Sequence, residues 1–232
     1  MSLLLQIETA TTSCSVALVQ HGAVLAVKEL DQRNIHAEVI TIFIEEVFAA
    51  AVKTYADVDA VVVSSGPGSY TGLRIGVSTA KGLCFALDKP LIAIETLQAM
   101  ADGMAAQLND DSILLCPMID ARRMEVYTAL FDSKGNRTKP TSAEIIDENS
   151  YAELLQKQKV LFFGDGAAKC QAALGHYVNA LFNTEFVNSA THLSQRAVIS
   201  FESQVFENVA YFEPFYLKNF IAGIKAKALP NA

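Results

Sequence analysis

The chain has 232 residues, of which 51% are apolar and 19% are charged, a composition typical of a compact globular protein with a sizeable core. Its formal net charge of −7 argues against autonomous binding of nucleic acid, which depends on clustered Lys and Arg. The first residues lack the basic start of a secretory signal, and no apolar run reaches the roughly 20 residues of a membrane span. We therefore expect a cytoplasmic protein that makes no membrane contact.

The first half of the chain predicts a sheet followed by alternating helices and strands. Apolar runs rich in β-branched residues predict strands. Apolar residues that recur every three to four positions predict helices. Strands are predicted at 3–7, 13–19, 24–30, 59–65 and 91–94, and helices at 36–52, 73–87 and from Thr96, as the cap, to about Leu108. The Val-rich run at 59–65 has the composition of a buried parallel strand.

The second half partly repeats this order after its most polar break, Asn109-Asp110-Asp111-Ser112. Strands are predicted at 113–119, 124–131 and 160–163, and helices at 149–158 and 193–206. We place a domain boundary at the break, giving an N-terminal α/β lobe at 1–108 and a C-terminal α/β lobe at 109–232. Two lobes that each open with a strand hairpin imply related α/β halves facing a cleft.

A glycine-rich turn at 64–76 lies between a buried strand and a helix. A helix N-terminus offers unpaired N–H groups, and glycine lets a phosphate approach the backbone. The spacing nevertheless matches neither a P-loop nor a dinucleotide fingerprint. The candidate phosphate-loop residues are Gly66, Gly68, Ser69, Thr71, Gly72 and, from the second half, Asp120. The alternative is a tight turn with a capped helix start and close packing.

The helix after this turn carries a small residue at every fourth position, which places those residues on one face. This small-residue stripe consists of Gly72, Gly76, Ala80 and Cys84. Such a stripe allows another helix to approach closely. The pattern leaves open whether that neighbour belongs to this chain or to a partner.

The helix predicted at 36–52 is apolar over well over half of its circumference, whereas a surface helix needs only about 100°. One face is expected to dock on the sheet, and the second must be covered by a helix of the same chain or of a partner. If both helices leave one face open, they form an apolar surface suited to a four-helix bundle between chains. The predicted partner interface is Val39, Ile42, Phe43 and Val47 together with the small-residue stripe.

No arrangement of residues indicates a metal centre or a nucleophile. The four histidines, His21, His36, His176 and His192, form no HxxxH or HExxH pair. The cysteines, Cys14, Cys84, Cys116 and Cys170, are widely spaced without a CxxC pair, which predicts reduced and buried thiols. No GxSxG elbow is present. We therefore predict no metal ligand and no catalytic residue in this chain.

Two polar turns each allow two interpretations, one as part of a binding site and one as a structural turn. Asp120, Arg122, Arg123 and Glu125 put four charges between two apolar runs, either to meet an anion in the cleft or to pair with one another at a hairpin. The run Gly164-Asp165-Gly166 suits a strand-to-helix turn whether or not anything binds there.

Two of these segments, 65–76 and 117–127, closely resemble the TsaB (also called YeaZ) family. The sequence runs at 5–9, 164–166 and 215–218 also occur in the order expected for that family. The similarity covers most of the chain.

The resemblance implies a two-lobed α/β fold of the actin-like and sugar-kinase-like type, with duplicated ribonuclease H-like lobes. It also implies a bacterial complex that transfers a threonylcarbamoyl group to the tRNA adenosine next to the anticodon. In that complex this chain resembles a non-catalytic scaffold and activator, which pairs through its first two helices with a TsaD-type catalytic subunit or with a second copy of itself. A TsaE-type ATPase joins the complex, tRNA binds through it, and ATP, ADP and metal belong to the partner subunits.

Two differences from the residues usual in this fold affect the alternative functions, a kinase or ATPase and a peptidase. The first phosphate loop usually carries Asp and a glycine, whereas this chain has Glu8-Thr9-Ala10-Thr11-Thr12. ATP binding by the isolated chain is therefore not expected, although a nucleotide-dependent kinase or ATPase remains the alternative function. An M22-type glycoprotease-like peptidase is weaker still, because the metal-binding histidine pair is missing.

Overall fold

The computed structural model describes residues 2–218, which form two five-stranded sheets. The elements of the first sheet and its helices are β1 (Leu3–Glu8), β2 (Ser13–Gln20), β3 (Ala23–Asp31), α1 (His36–Ala51), β4 (Ala60–Gly66), α2 (Tyr70–Leu87), β5 (Leu91–Glu95) and α3 (Thr96–Ala105). The later elements are β6 (Leu114–Asp120), β7 (Glu125–Phe131), β8 (Arg137–Ile145), α4 (Ala152–Leu155), β9 (Val160–Phe163), α5 (Ala167–Leu174), β10 (Ala180–Asn183) and α6 (Ser194–Glu202). Short 3-10 turns lie at Tyr55–Asp57 and Ala190–Leu193.

The two sheets share one topology. Their strand orders are β3-β2-β1-β4-β5 and β8-β7-β6-β9-β10. In each sheet the first three strands in sequence are antiparallel, and the last two join in parallel. The related α/β halves predicted from the order of elements are therefore confirmed by strand pairing.

Alternation along β1 separates the two faces of the first sheet. Leu3, Leu5 and Ile7 belong to the core cluster that α1 and α2 cover. Leu4 belongs to the opposite cluster, to which α3 and α6 contribute. The central strands β1 and β4 are thus buried between two helical layers, as expected for strands that consist of continuous apolar runs, whereas the edge strand β3 is exposed.

Helix α3 lies between the lobes and contributes to both. Leu97, Met100 and Met104 pack on the second sheet, whereas Ala99 packs on the first. After β10 the chain returns to the first sheet through α6, where Ala197 is part of the first-lobe core. The predicted segment 109–232 therefore includes residues that lie on the first lobe, and residues 1 and 219–232 of the predicted lobes fall outside the described residues.

Most predicted elements are confirmed, with differences in the second half. The helix predicted at 149–158 is reduced to α4, and that at 193–206 to α6. Strands β8 and β10 and helix α5 were not predicted. Thr96 is the first residue of α3, and Glu95 is its cap. The Thr96 Oγ1 instead accepts the Gly66 N–H at 3.1 Å.

No helix among residues 2–218 combines the length and the apolar content that crossing a bilayer requires.

Candidate functional site

A cleft of about 670 Å³ lies between the two lobes. The first lobe contributes the loop after β1, the end of β3 and the start of α2. The second lobe contributes the ends of β6 and β9. The polar side chains that line the cleft include Thr11, Thr12, Asp31, Arg33, Ser69, Thr71, Asp120, Arg122 and Asp165. This position, at the ends of parallel strands where the lobes meet, is the usual location of ligand sites in such folds.

The glycine-rich turn packs directly against the loop that follows β1. A Cβ atom at Gly68 would lie 2.7 Å from the Ala10 Cβ and closer still to the Ala10 carbonyl oxygen. A Cβ at Gly72 would meet the Thr9 carbonyl oxygen, with the carbonyl carbon at 3.3 Å. These glycines are therefore required for contact between two backbone segments of the same chain.

The N–H groups of the same turn are largely used inside the protein. Gly66 donates to Thr96 Oγ1, and Ser69 donates to the Ala10 carbonyl at 2.7 Å. Gly72 donates to Ser69 Oγ at 3.2 Å, which caps α2. Because a phosphate site at a helix start needs unused N–H groups, the geometry matches the capped turn rather than an open phosphate loop. Thr71 and Asp120 are the candidate residues that face the cleft without such a packing role.

Glu8 ends β1 as a fully buried carboxyl group. Its Oε1 accepts the Ala10 N–H at 2.6 Å and the Ser64 hydroxyl at 2.9 Å, but Oε2 has no hydrogen-bond partner. Burial raises the pKa of Glu8 to about 7, because the desolvation of the charged form outweighs these hydrogen bonds. Burial therefore favours the protonated form of this carboxyl group well above the usual pH range of a Glu, and Glu8 does not line the cleft.

Asp120 and Asp165 have opposite electrostatic environments, although both line the cleft. Burial disfavours the charged form of Asp120, but an ion pair with Lys169 and the Arg122 N–H together hold its pKa below the usual range. Burial raises the pKa of Asp165 to about 6, and the charges of Asp120 and Asp31 add to that rise. The sequence patterns did not single out Lys169 or Asp31, because neither lies in a recognisable motif.

Arg122 and Arg123 lie in the hairpin between β6 and β7, where both adopt positive φ values, of 73° and 49°. Both side chains are exposed. Asp120 pairs with Lys169 of α5 instead of with either arginine side chain. Of the two alternatives for these charges, ion pairing within the hairpin is not adopted by Asp120, whose ion pair links the hairpin to α5.

The segment at 215–218 lines a pocket that adjoins the cleft and shares Thr71 and Asp120 with it. Phe215 donates its N–H to the Ser65 carbonyl at 2.7 Å, and the Tyr216 ring lies 5.0 Å from that of Tyr70. Lys218 forms an ion pair with Glu125 of the second lobe. This segment therefore joins the glycine-rich turn of one lobe to the β6–β7 hairpin of the other.

The small-residue stripe of α2 is buried within this chain. Ala80 and Cys84 belong to the first-lobe core, and a Cβ at Gly76 would lie 3.3 Å from Thr9 Cβ. Val47 of α1 is equally buried in that core. These residues, with Gly72, were predicted to form a partner interface. They instead hold α1 and α2 against the first sheet and its β1–β2 loop.

A different surface of the same two helices is open to solvent. On α1, the Ile42 side chain is 51% exposed, and Val39 and Phe43 are half-buried at the rim of the core. On α2, the Phe85 side chain is 88% exposed. Gly82 is exposed, a Cβ atom added there would meet no atom within 4 Å, and Ile75 is half-buried. We call this set the outer α1–α2 face: Val39, Ile42, Phe43, Ile75, Gly82 and Phe85.

The remaining candidates for metal or redox chemistry are dispersed. All four cysteines are buried and unpaired. Across residues 2–218, no group of three or more His, Cys, Asp and Glu side chains is placed to hold a metal ion. His36 is buried and bonds through Nε2 with the Ser13 carbonyl at 3.2 Å.

Comparison with known families matches residues 26–229 to the model described as TsaD, tRNA N6-adenosine threonylcarbamoyltransferase. The chain is 37% identical over 133 residues to the tRNA threonylcarbamoyladenosine biosynthesis protein TsaB of Escherichia coli, covering 57% of this chain and 56% of that protein. It is 30% identical over 167 residues to TsaB of Bacillus subtilis, covering 69% and 70%. The aligned region thus spans just over half the length of the first of these relatives.

Among solved structures, YeaZ from Pseudomonas aeruginosa superposes with a TM-score of 0.77 at 24% identity, covering 94% of this chain and all of that one. The activator of 2-hydroxyisocaproyl-CoA dehydratase from Clostridium difficile, solved with bound ADPNP, superposes with a TM-score of 0.50 at 9% identity, covering 87% and 95%. At these identities the likeness concerns the fold, which is the predicted α/β fold of the actin-like and sugar-kinase-like type.

Proposed function

The chain belongs to the TsaB (YeaZ) family, and on that premise we propose that it is a non-catalytic scaffold and activator subunit in threonylcarbamoyladenosine synthesis on tRNA. Its partner in this proposal is a TsaD-type catalytic subunit, which transfers the threonylcarbamoyl group to the adenosine next to the anticodon. A TsaE-type ATPase joins the pair, and tRNA binds through the assembled complex. The buried, unpaired thiols fit a reducing compartment, so we place this work in the cytoplasm.

The observation that carries the proposal is the outer α1–α2 face. Ile42 and Phe85 expose large apolar side chains on neighbouring helices, beside a glycine with open space above it. Exposed apolar surface of this kind marks protein interaction sites, and a helix pair can be completed by a second pair in a four-helix bundle. The family model that matches this chain describes the transferase itself, so the partner would present a related helix pair. A second copy of this chain would use the same face when the partner is absent.

The cleft supports a non-catalytic role. The N–H groups of Gly66, Ser69 and Gly72 in the glycine-rich turn are bonded within the chain, as described above. Lys169 neutralises Asp120, and Glu8 is fully buried in the core. A nucleotide-dependent kinase or ATPase, the alternative, would need an accessible phosphate loop.

Reconstitution tests the proposal. The purified chain, a TsaD-type subunit and a TsaE-type ATPase are incubated, singly and together, with threonylcarbamoyl-adenylate and tRNA, and the modified nucleoside is quantified. We expect no turnover by the chain alone and strong stimulation when it is added to the other two. Full activity without the chain, or hydrolysis of ATP by the chain alone with micromolar binding in calorimetry, would contradict the proposal.

A further inference from the structure

A second cavity, which we call the side chamber, adjoins the inter-lobe cleft. Its volume is about 20 Å³, enough for one water molecule or one ion. Thr11, Thr12, Asp31 and Asp165 line both the chamber and the cleft. The chamber is therefore a small recess beside the larger space, and it is reachable by a solute that enters the cleft.

Two buried side chains on the chamber wall have polar atoms without a partner. Asn188 is 3% exposed, and neither its Oδ1 nor its Nδ2 forms a hydrogen bond. Asn188 lies close enough to Glu8 to favour the charged form of that carboxyl group, but no hydrogen bond of normal geometry joins them. Ser13 is 1% exposed, and its Oγ is also unpartnered. Leaving such a group unsatisfied costs about 1–3 kcal/mol, so both point to a bound species.

Two carboxylate side chains, those of Asp31 and Asp165, also line the chamber. Asp31 accepts the Thr12 hydroxyl at 2.5 Å, and Asp165 accepts the Asp120 N–H at 3.0 Å. Among residues 2–218, the salt bridges include none to Asp31 or Asp165. The two carboxylates come from different lobes, since Asp31 ends β3 and Asp165 follows β9. The recess thus brings like charges from the two lobes together.

We propose that the side chamber binds one hard divalent cation, Ca²⁺ or Mg²⁺, held by Asp31, Asp165 and the amide oxygen of Asn188. Hydroxyl groups of Thr12 and Ser13 and water from the cleft complete an all-oxygen ligand set, which hard cations prefer. Only two of the proposed ligands are acidic. The site is therefore not one of the groups of three or more His, Cys, Asp and Glu side chains, which do not occur among residues 2–218. The ion links the first lobe to the second and fixes the width of the cleft.

Direct binding to the intact chain tests this site. Protein stripped with a chelator is titrated with CaCl₂ and with MgCl₂ in a calorimeter. We expect one equivalent to bind and the melting temperature to rise with ion concentration. Asp31→Asn and Asp165→Asn should each weaken binding by about tenfold or more, whereas Glu153→Gln, an exposed carboxylate on α4, should leave it unchanged.

An opposite change keeps the test decisive if the Asp variants fold poorly. Asn188→Asp adds a third carboxylate and should tighten binding, because affinity for Ca²⁺ rises with the charge of the ligands. Absence of binding at roughly 10 mM of either ion, or equal binding by wild type and all three chamber variants, would show that the recess holds water only and would overturn the proposal. None of these measurements involves a partner subunit, so they are independent of the reconstitution assay.

Discussion

Two of the three glycines of helix α2, Gly76 and Gly82, lie six residues apart and have opposite environments. Gly76 faces inward, where Thr9 leaves no room for a side chain, and Gly82 faces outward into open space. The first holds the helix to its own sheet, and the second lies on the outer α1–α2 face. The contrast teaches that a stripe of small residues in a helix identifies a close contact but not the chain that makes it.

The largest expected loss of stability comes from placing a large side chain at Gly76, on the inner side of α2. Gly76→Leu drives a side chain into Thr9, and overpacking of this kind costs about 1–3 kcal/mol or more. We expect a loss of about 3 kcal/mol in the free energy of unfolding, or failure to fold, measured by urea denaturation. Wild-type stability combined with loss of partner binding would reverse the assignment of the two sides.

A second large effect on the free energy of unfolding should come from the titration of Glu8, which precedes Thr9 in the chain. In the folded chain it holds its proton to about pH 7, whereas its ordinary pKa is 4.5. The folded state therefore binds more protons in this window, and Glu8 lowers the free energy of unfolding as pH rises from about 4.5 to about 7.

Glu8→Gln removes this dependence, because a Gln Oε1 still accepts from Ala10 and Ser64. We expect the stability of the variant relative to wild type to be about 2–3 kcal/mol greater at pH 8 than at pH 5. Urea denaturation at the two pH values measures it. An equal difference at both would mean that Glu8 titrates normally in the folded protein.

A matched pair on α1 separates stability from binding. Val47 is buried and Ile42 is half-exposed, so Val47→Ala should cost about 2 kcal/mol of stability, whereas Ile42→Ala should cost little. Ile42→Ala should instead weaken association with a TsaD-type subunit by about tenfold, which corresponds to about 1.4 kcal/mol. Thermal unfolding and surface plasmon resonance measure the two quantities. Unchanged affinity of Ile42→Ala would remove Ile42 from the interface.

The smallest expected change in stability is at Gly82, the glycine on the outer α1–α2 face. Gly82→Ala should raise the free energy of unfolding by about 0.5–1 kcal/mol, since Ala favours a helix over Gly by that amount and a methyl group there meets nothing within 4 Å. Chemical denaturation checks this. A destabilised variant would indicate that the position is enclosed.

The fold was largely predictable from periodicity. Continuous apolar runs identified the inner strands β1, β4, β6 and β9, because burial on both faces demands such runs. Strand β8 was missed because its sequence, with Lys139-Pro140 and few apolar residues, is that of an edge strand, which natural proteins keep polar or interrupt with proline.

The site was predictable only in part. The glycine turn and Asp120 were located from the sequence. The spacing of α2 could not show that Gly72 and Gly76 meet Thr9, which is distant in the chain. The burial of Glu8 and the grouping of Asp31, Asp165 and Asn188 depend on contacts between distant segments. Sequence periodicity carries no information about such contacts.

The central claim, that the outer α1–α2 face binds the partner while the inner stripe serves the fold, is tested most directly at Gly82. The dissociation constant of the complex with a TsaD-type subunit is measured by calorimetry for wild type, Gly82→Trp and Gln195→Trp, the last an exposed position on α6 across the sheet. We predict that Gly82→Trp weakens the complex by about 100-fold or more without loss of stability, and that Gln195→Trp binds like wild type. Wild-type affinity of a folded Gly82→Trp would contradict the account.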